Sequence, residues 1–274
     1  MLTQELLGIM ERKWNSEKLI VFTRVILQKS KQATNSGDVK RRITNCLDSW
    51  ENGKFDMLVQ DTHRTAMAQL TKMQGKETEE QRGKTFSRLV LQGKLRSAVR
   101  YLTERDGGEI MLPDEIDAKT GDTVLDVLQS KHPDMRAPDV ALMEECYALP
   151  DFVELDVTAD TVKKVVRRLS GSAGPGGTDS ADLQHWLLRF GGASAEFRKA
   201  VAEFVRWKAN DNPPWAAYRA LRAGRLVAVD KMPGVRPLGI GESFERLESK
   251  CVLLVCGDEA KEACGVDQLC AGLE

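Results

Sequence analysis

Residues 225–241 read RLVAVDKMPGVRPLGIG, two short apolar stretches on either side of Lys-Met-Pro-Gly. Leu226, Ala228 and Val229 on one side and Val235, Leu238 and Ile240 on the other are strand formers, and Pro233-Gly234 supplies the reversal, so the stretch predicts a β-hairpin. Such a hairpin holds Lys231 and Arg236 around one tip. Lysine is a mobile point charge with three donors and arginine a rigid planar fork, so the pair suits a polyanion such as a nucleoside triphosphate or a template phosphate. The same spacing also fits a solvated hairpin with two ordinary surface cations.

Most of the remaining chain is patterned as helix. Residues 6–29 and 38–59 both carry apolar residues at helical spacing, with a break expected at Gly37-Asp38. Residues 77–105 predict one helix or a pair broken near Gly93: Phe86, Leu89, Val90, Ala98, Val99 and Leu102 form an apolar stripe, and Arg82, Lys84, Arg88, Lys94, Arg96 and Arg100 crowd the remaining surface. That basic face can neutralise nucleic-acid phosphates or remain solvated against acidic neighbours. Thr123–Lys131 predicts a short helix. In Ala193–Trp207, Phe197, Val201, Phe204 and Val205 share one stripe, and a further short helix is expected over Trp215–Leu221 after Pro213-Pro214. Trp186, Trp207 and Trp215 read as core residues. The expected fold is mainly α-helical (α+β), with one small antiparallel hairpin.

The near-zero formal charge of −1 conceals segregation, because residues 1–100 carry +8, residues 101–160 carry −12 and residues 161–274 carry +3. Three sections are therefore expected: a basic helical region over 1–106, an acidic connecting segment with a short helix over 107–156, and a final region over 157–274. The longest apolar run, Cys251–Cys256, is far short of the roughly 20 residues a membrane span requires. The opening MLTQELLGIMERKW lacks the basic and apolar segments of a secretory signal, so an intracellular protein without membrane partners is expected.

Classical catalytic and metal patterns are absent from the sequence. Cys46 and Cys146 stand alone, and Cys251, Cys256, Cys264 and Cys270 lack CxxC pairs or histidine partners, so core thiols are expected. His63, His132 and His185 are scattered. Gly171-x4-Gly176-Gly177-Thr178 approximates a phosphate-binding loop, but Gly177 stands where the lysine is needed and the preceding residues are helical in pattern. Those glycines serve a helix-to-helix reversal, with Thr178 or Ser180 as the expected cap of the next helix.

Three stretches carry a resemblance. The LxxxxKxxxxRPLxI pattern running from Leu226 through Lys231, Arg236 and Pro237 to Ile240, followed by an expected helix over Glu242–Cys256, resembles the fingers region of retroelement reverse transcriptases. Upstream, Val157–Leu188 looks like the helix, Gly/Pro loop and helix that open the reverse-transcriptase domain of non-LTR elements. In this chain the loop reads AGPGGTD over 173–179, without the first proline of that family's run and with Asp179 displaced. A fainter match is the Gln-containing turn at Gly265–Gln268.

This resemblance implies an RNA-directed DNA polymerase, a nucleotidyltransferase, in which Lys231 and Arg236 bind incoming nucleotide and template and Pro237 opens the exit strand. Its partners would be an RNA or DNA template-primer and a dNTP. The family's Mg²⁺-binding palm aspartates have no counterpart here: no aromatic-x-Asp-Asp turn occurs, and Glu144-Glu145 and Asp258-Glu259 lie on helical patterns. No catalytic residue or metal ligand is therefore assigned, Mg²⁺ is expected only with a palm, and the chain is expected to be a fragment unable to polymerise alone. The alternative is a non-catalytic helical nucleic-acid-binding or assembly protein.

Overall fold

The computed structural model describes residues 1–27, 35–73, 78–103, 110–132, 134, 153–231 and 233–264. Among them, eleven α-helices and one three-stranded antiparallel sheet give the mainly helical fold expected. The chain divides into two compact units, one of residues 1–63, 149–225 and 240–274 and the other of residues 64–148 and 226–239. Cys146, Cys270, Glu144-Glu145 and the turn at 265–268 lie outside the described residues.

The first unit contains α1 (Leu2–Met10), α2 (Ser16–Ile26) and α3 (Ser36–Glu51). Gly37-Asp38 does not break the helical pattern; it lies in the first turn of α3. There the Asn35 side chain caps the helix by accepting from the Asp38 N–H. Trp50 near the end of α3 packs edge-on against Phe22 of α2 and Phe55 at the start of α4 (Phe55–Met73), closing a small apolar cluster with Val25, Ile26 and Leu58. Between α1 and α2 the chain turns at Arg12, which holds φ at +59°. The Arg12 N–H donates to the Ile9 carbonyl and that of Lys13 to Gly8, so this is the left-handed residue that ends α1. A side chain there costs about 1 kcal/mol, and Arg12→Gly should recover it as a raised Tm. An unchanged or lowered Tm would mean that the arginine side chain offsets its own backbone strain.

The main core joins α1 and α2 to α8 (Ala159–Arg167), α9 (Ser180–Leu188), α10 (Gly191–Asn210) and α11 (Ser243–Cys264). The stripe read in α10 is buried as expected, with Phe197, Val201, Phe204 and Val205 all inside. Thr158 caps α8 in a reciprocal box with Thr161. The cap of α9 is neither Thr178 nor Ser180 but Asp179, whose carboxylate accepts from the Asp182 N–H, because the carboxylate also complements the positive end of the helix. Trp186 and Trp207 pack partly buried on this core. Trp215 does not: it is 59% exposed and meets Tyr218 edge-on, and only a 3-10 turn over Trp215–Ala217 forms where a longer helix was expected.

The second unit holds α5 (Glu79–Leu91), α6 (Leu95–Thr103), β1 (Ile110–Met111), α7 (Val124–Lys131), and most of β2 (Gly224–Asp230) and β3 (Val235–Gly241). The break between α5 and α6 falls at Gly93, whose φ of +71° suits glycine. The sheet order is β1-β2-β3, with Ile110 opposite Val229 and Met111 opposite Ala228. A two-stranded hairpin alone is marginal in water, and the segment read as connective supplies what it lacks. Val124, Val127 and Leu128 of α7 bury Ala228 and Val235, with Met111 beside them, and the Lys131 ammonium donates to the Val235 carbonyl.

Candidate nucleic-acid interface

The hairpin reverses as its sequence dictates. The Lys231 N–H donates to the Gly234 carbonyl at 2.8 Å, and Gly234 adopts a φ of +110°. Val235 points into the small core beneath α7, so the alternation of the strand turns its neighbour Arg236 outward. Arg236 and Lys231 are both exposed, and Pro237 is half-buried. Among the described residues neither cationic side chain has a hydrogen-bond or ion-pair partner, so both remain available to an anion.

The basic residues of α5 and α6 are arranged less simply. Lys84, Arg88, Lys94 and Arg96 are exposed and Arg82 is half-buried, while the Arg100 side chain lies outside the described residues. Lys84 is engaged by Glu80 at 2.7 Å one turn earlier, a pair that a phosphate would have to displace. The apolar stripe is only partly covered. Ala98 is buried and Phe86 and Leu89 half-buried, but Val90, Val99 and Leu102 are exposed, as are Leu91 (87%) and Leu95.

The Gly/Pro loop docks on the start of α11. The backbone N–H of Gly176 donates to the Glu242 carboxylate, the Ser243 hydroxyl donates to the Thr178 carbonyl at 2.7 Å, and Arg246 donates to the Ser172 carbonyl and the Ser243 hydroxyl. Arg225, at the start of β2, adds a bond to the Ala173 carbonyl at 3.2 Å. Glu242 is buried, and burial pushes its carboxyl above the ordinary range while the Gly176 N–H and Arg246 oppose that shift. A Cβ on Gly174 would sit 2.8 Å from the backbone of Glu242 and from the Gly241 carbonyl, so this glycine is required by close approach of two backbones.

A buried ionic cluster ties α10 to α11 and has no signal in local sequence. The Lys208 ammonium donates to Glu245 at 2.6 Å and to Glu248 at 2.5 Å, and Arg222 reaches Glu245 at 3.0 Å. Burial pushes the Glu248 carboxyl up to about 7 despite Lys208. Burial alone would pull Lys208 down, but the two carboxylates more than offset it and the net shift is upward. One turn on, burial and the Glu248 charge push the Cys251 thiol up to about 12, an inert core thiol as expected. Burial also raises the half-buried Cys46 thiol. His63, His132 and His185 are exposed. Among the described residues no three His, Cys, Asp or Glu side chains are placed to hold a metal ion, and no helix is long and apolar enough to cross a membrane.

Compared with protein-family models, with curated proteins and with solved structures, the chain has no significant match to any of them.

Proposed function

We propose that residues 157–274 are a reverse-transcriptase-type fingers region that contributes template and incoming-nucleotide binding, with Arg236 and Lys231 as the phosphate contacts and Pro237 stiffening the exit strand. What supports this reading is the meeting of two separately recognisable stretches: the Gly/Pro loop of 173–179 is bonded both to Arg225 at the base of β2 and to Glu242 and Ser243, where β3 passes into α11. The elements that resemble the family in sequence thus form one connected framework, from which the chain runs into a hairpin bearing two exposed cations without a partner among the described residues. The basic surface of α5 and α6 would add sequence-independent contacts to the nucleic-acid backbone through Arg82, Arg88, Lys94, Arg96 and Arg100, with Lys84 joining when it leaves Glu80. The reaction itself needs palm carboxylates and Mg²⁺, and this chain's share is positioning and charge.

The test is equilibrium binding of a labelled RNA template-primer to the whole chain across a salt series. Charge-assisted phosphate contacts are worth roughly 1.5–3 kcal/mol, so Arg236→Ala should weaken binding by about 10- to 150-fold, with Arg236→Lys rescuing only in part. Tm should barely move, because an exposed turn contributes little to the core. Every phosphate that the variant no longer neutralises should also flatten the salt slope by roughly 0.7–0.9. Unchanged affinity and slope in Arg236→Ala would return the hairpin to a structural role.

A further inference from the structure

Beside α1 in the first unit lies an open cavity of about 560 Å³ whose lining includes Glu5, Gly8, Trp14, Lys18, Trp50 and Phe55. Two indoles and a carboxylate converge there on one ammonium group. Lys18 Nζ stands 3.4 Å from the ring centre of Trp14 and 6.0 Å from that of Trp50, and 3.5 Å from Glu5 Oε2. Glu5 is a surface-type residue on a short helix, yet its side chain is only 7% exposed, and Oε2 accepts no hydrogen bond. With no hydrogen-bond donor on it among the described residues, that buried oxygen has the Lys18 ammonium at 3.5 Å as its counter-charge, so the position is one that a cation must fill.

The walls are firmly built. Trp14 lies flat on α1, where only glycine leaves room: a Cβ on Gly8 would fall 2.0 Å from the indole. Its ring N–H is anchored on the Glu5 carbonyl at 2.9 Å, and the strained Arg12 turn delivers the ring to this position. Trp50 is buried and held edge-on by Phe22 and Phe55. By contrast the central cation sits on a flexible four-carbon stem that is 30% exposed.

We propose that this cavity is a cation cage that takes the ammonium of a lysine-type side chain presented by a partner protein, and that Lys18 fills the ammonium position when the partner is absent. The placement of Lys18 shows the chemistry that the site accepts. Aromatic faces attract a cation through their quadrupole without needing its protons, so an N-methylated ammonium fits the indole walls as well. Glu5 supplies the counter-charge, and the apolar walls cover the stem. A neutral isostere gains from neither.

The experiment uses the whole chain and the probes Nα-acetyl-lysine amide, its Nε-trimethyl form and the neutral Nε-acetyl form, with binding followed by calorimetry. Lys18→Met removes the internal competitor and should bind both cationic probes about 10-fold more tightly than the native chain, while Lys18→Arg, which keeps a cation in place, should not gain. Trp14→Ala in the Lys18→Met background should lose the binding, and the neutral probe should bind to none of them. Circular dichroism establishes which variants are folded; should Lys18→Met not fold, Lys18→Gln makes the same comparison. The proposal is overturned if removing the Lys18 charge gives no gain over Lys18→Arg, or if the neutral probe binds as well as the cationic ones. It is also overturned if a folded Trp14→Ala variant binds undiminished.

Discussion

Lys208→Met should cost about 3–5 kcal/mol at pH 8 and distinctly less at pH 5. Lys208 is the shared donor of two carboxylates whose side chains are 5% and 19% exposed, and a methionine of similar length fills its space without supplying charge. Arg222 remains on Glu245, so the group left uncompensated is Glu248. Its folded-state carboxyl already titrates near 7 rather than 4.5, because burial outweighs the attraction of Lys208. A folded pKa above the unfolded one means that the native state holds the extra proton between the two values. The contribution of Glu248 to stability is therefore fully present below about 4.5 and declines as pH rises toward 7. Removing Lys208 takes away what opposes the shift, so the decline steepens and extends to higher pH. Urea denaturation of both proteins at pH 5 and 8 measures this. Adding Glu248→Gln to the Met variant should restore much of the loss at pH 8 and little at pH 5. An equal loss at both pH values would show that packing of the lysine stem, not its charge, matters.

That cluster also illustrates what could and could not be read from the chain. Periodicity located α10 and the hairpin because each is decided by neighbours within a few residues: Phe197, Val201, Phe204 and Val205 share a face whatever they pack on, and Pro233-Gly234 must turn. Lys208 and Glu248 are forty positions apart, and only the packing of α10 on α11 pairs them. The strand β1 has two residues, too few to show an alternation, and it exists because β2 offers an edge to pair with. The helix α7 was legible, whereas its role as the cover of the hairpin was not, since that depends on a chain return from residue 131 to residue 226. Trp215, read as a core residue, misled for a related reason: the preceding prolines leave it on a surface turn against Tyr218. The cations at Lys231 and Arg236 were legible because exposure on a tight turn is itself a local property. The enclosure of Lys18 by Trp14 and Trp50 depends on α3 folding back against α2, and gave no such signal.

Gly174→Val should cost about 2–6 kcal/mol. The sequence suggests that the loop glycines serve only to reverse the chain, yet Gly174 has no positive φ; its need arises because the loop backbone presses on that of Glu242 and Gly241. A branched side chain there has no flexible neighbour to push aside, and forcing extra carbons into such a contact costs about 1–3 kcal/mol. Lifting the loop then withdraws the Gly176 N–H from a buried carboxylate and the Thr178 carbonyl from Ser243. Leaving a buried group unsatisfied adds about 1–3 kcal/mol more. Gly192→Ala is the matched control: it lies in the first turn of α10 with nothing within 4 Å of an added Cβ, so it should be neutral or stabilise by up to about 1 kcal/mol. Chemical denaturation gives both values, and hydrogen exchange at Gly176 reports the loop directly. If Gly174→Val loses less than about 1 kcal/mol while the Gly176 amide stays protected, the loop is not held by backbone contact. The framework that joins the two resembling stretches would then lose its physical basis, and with it the main support for reading this region as fingers.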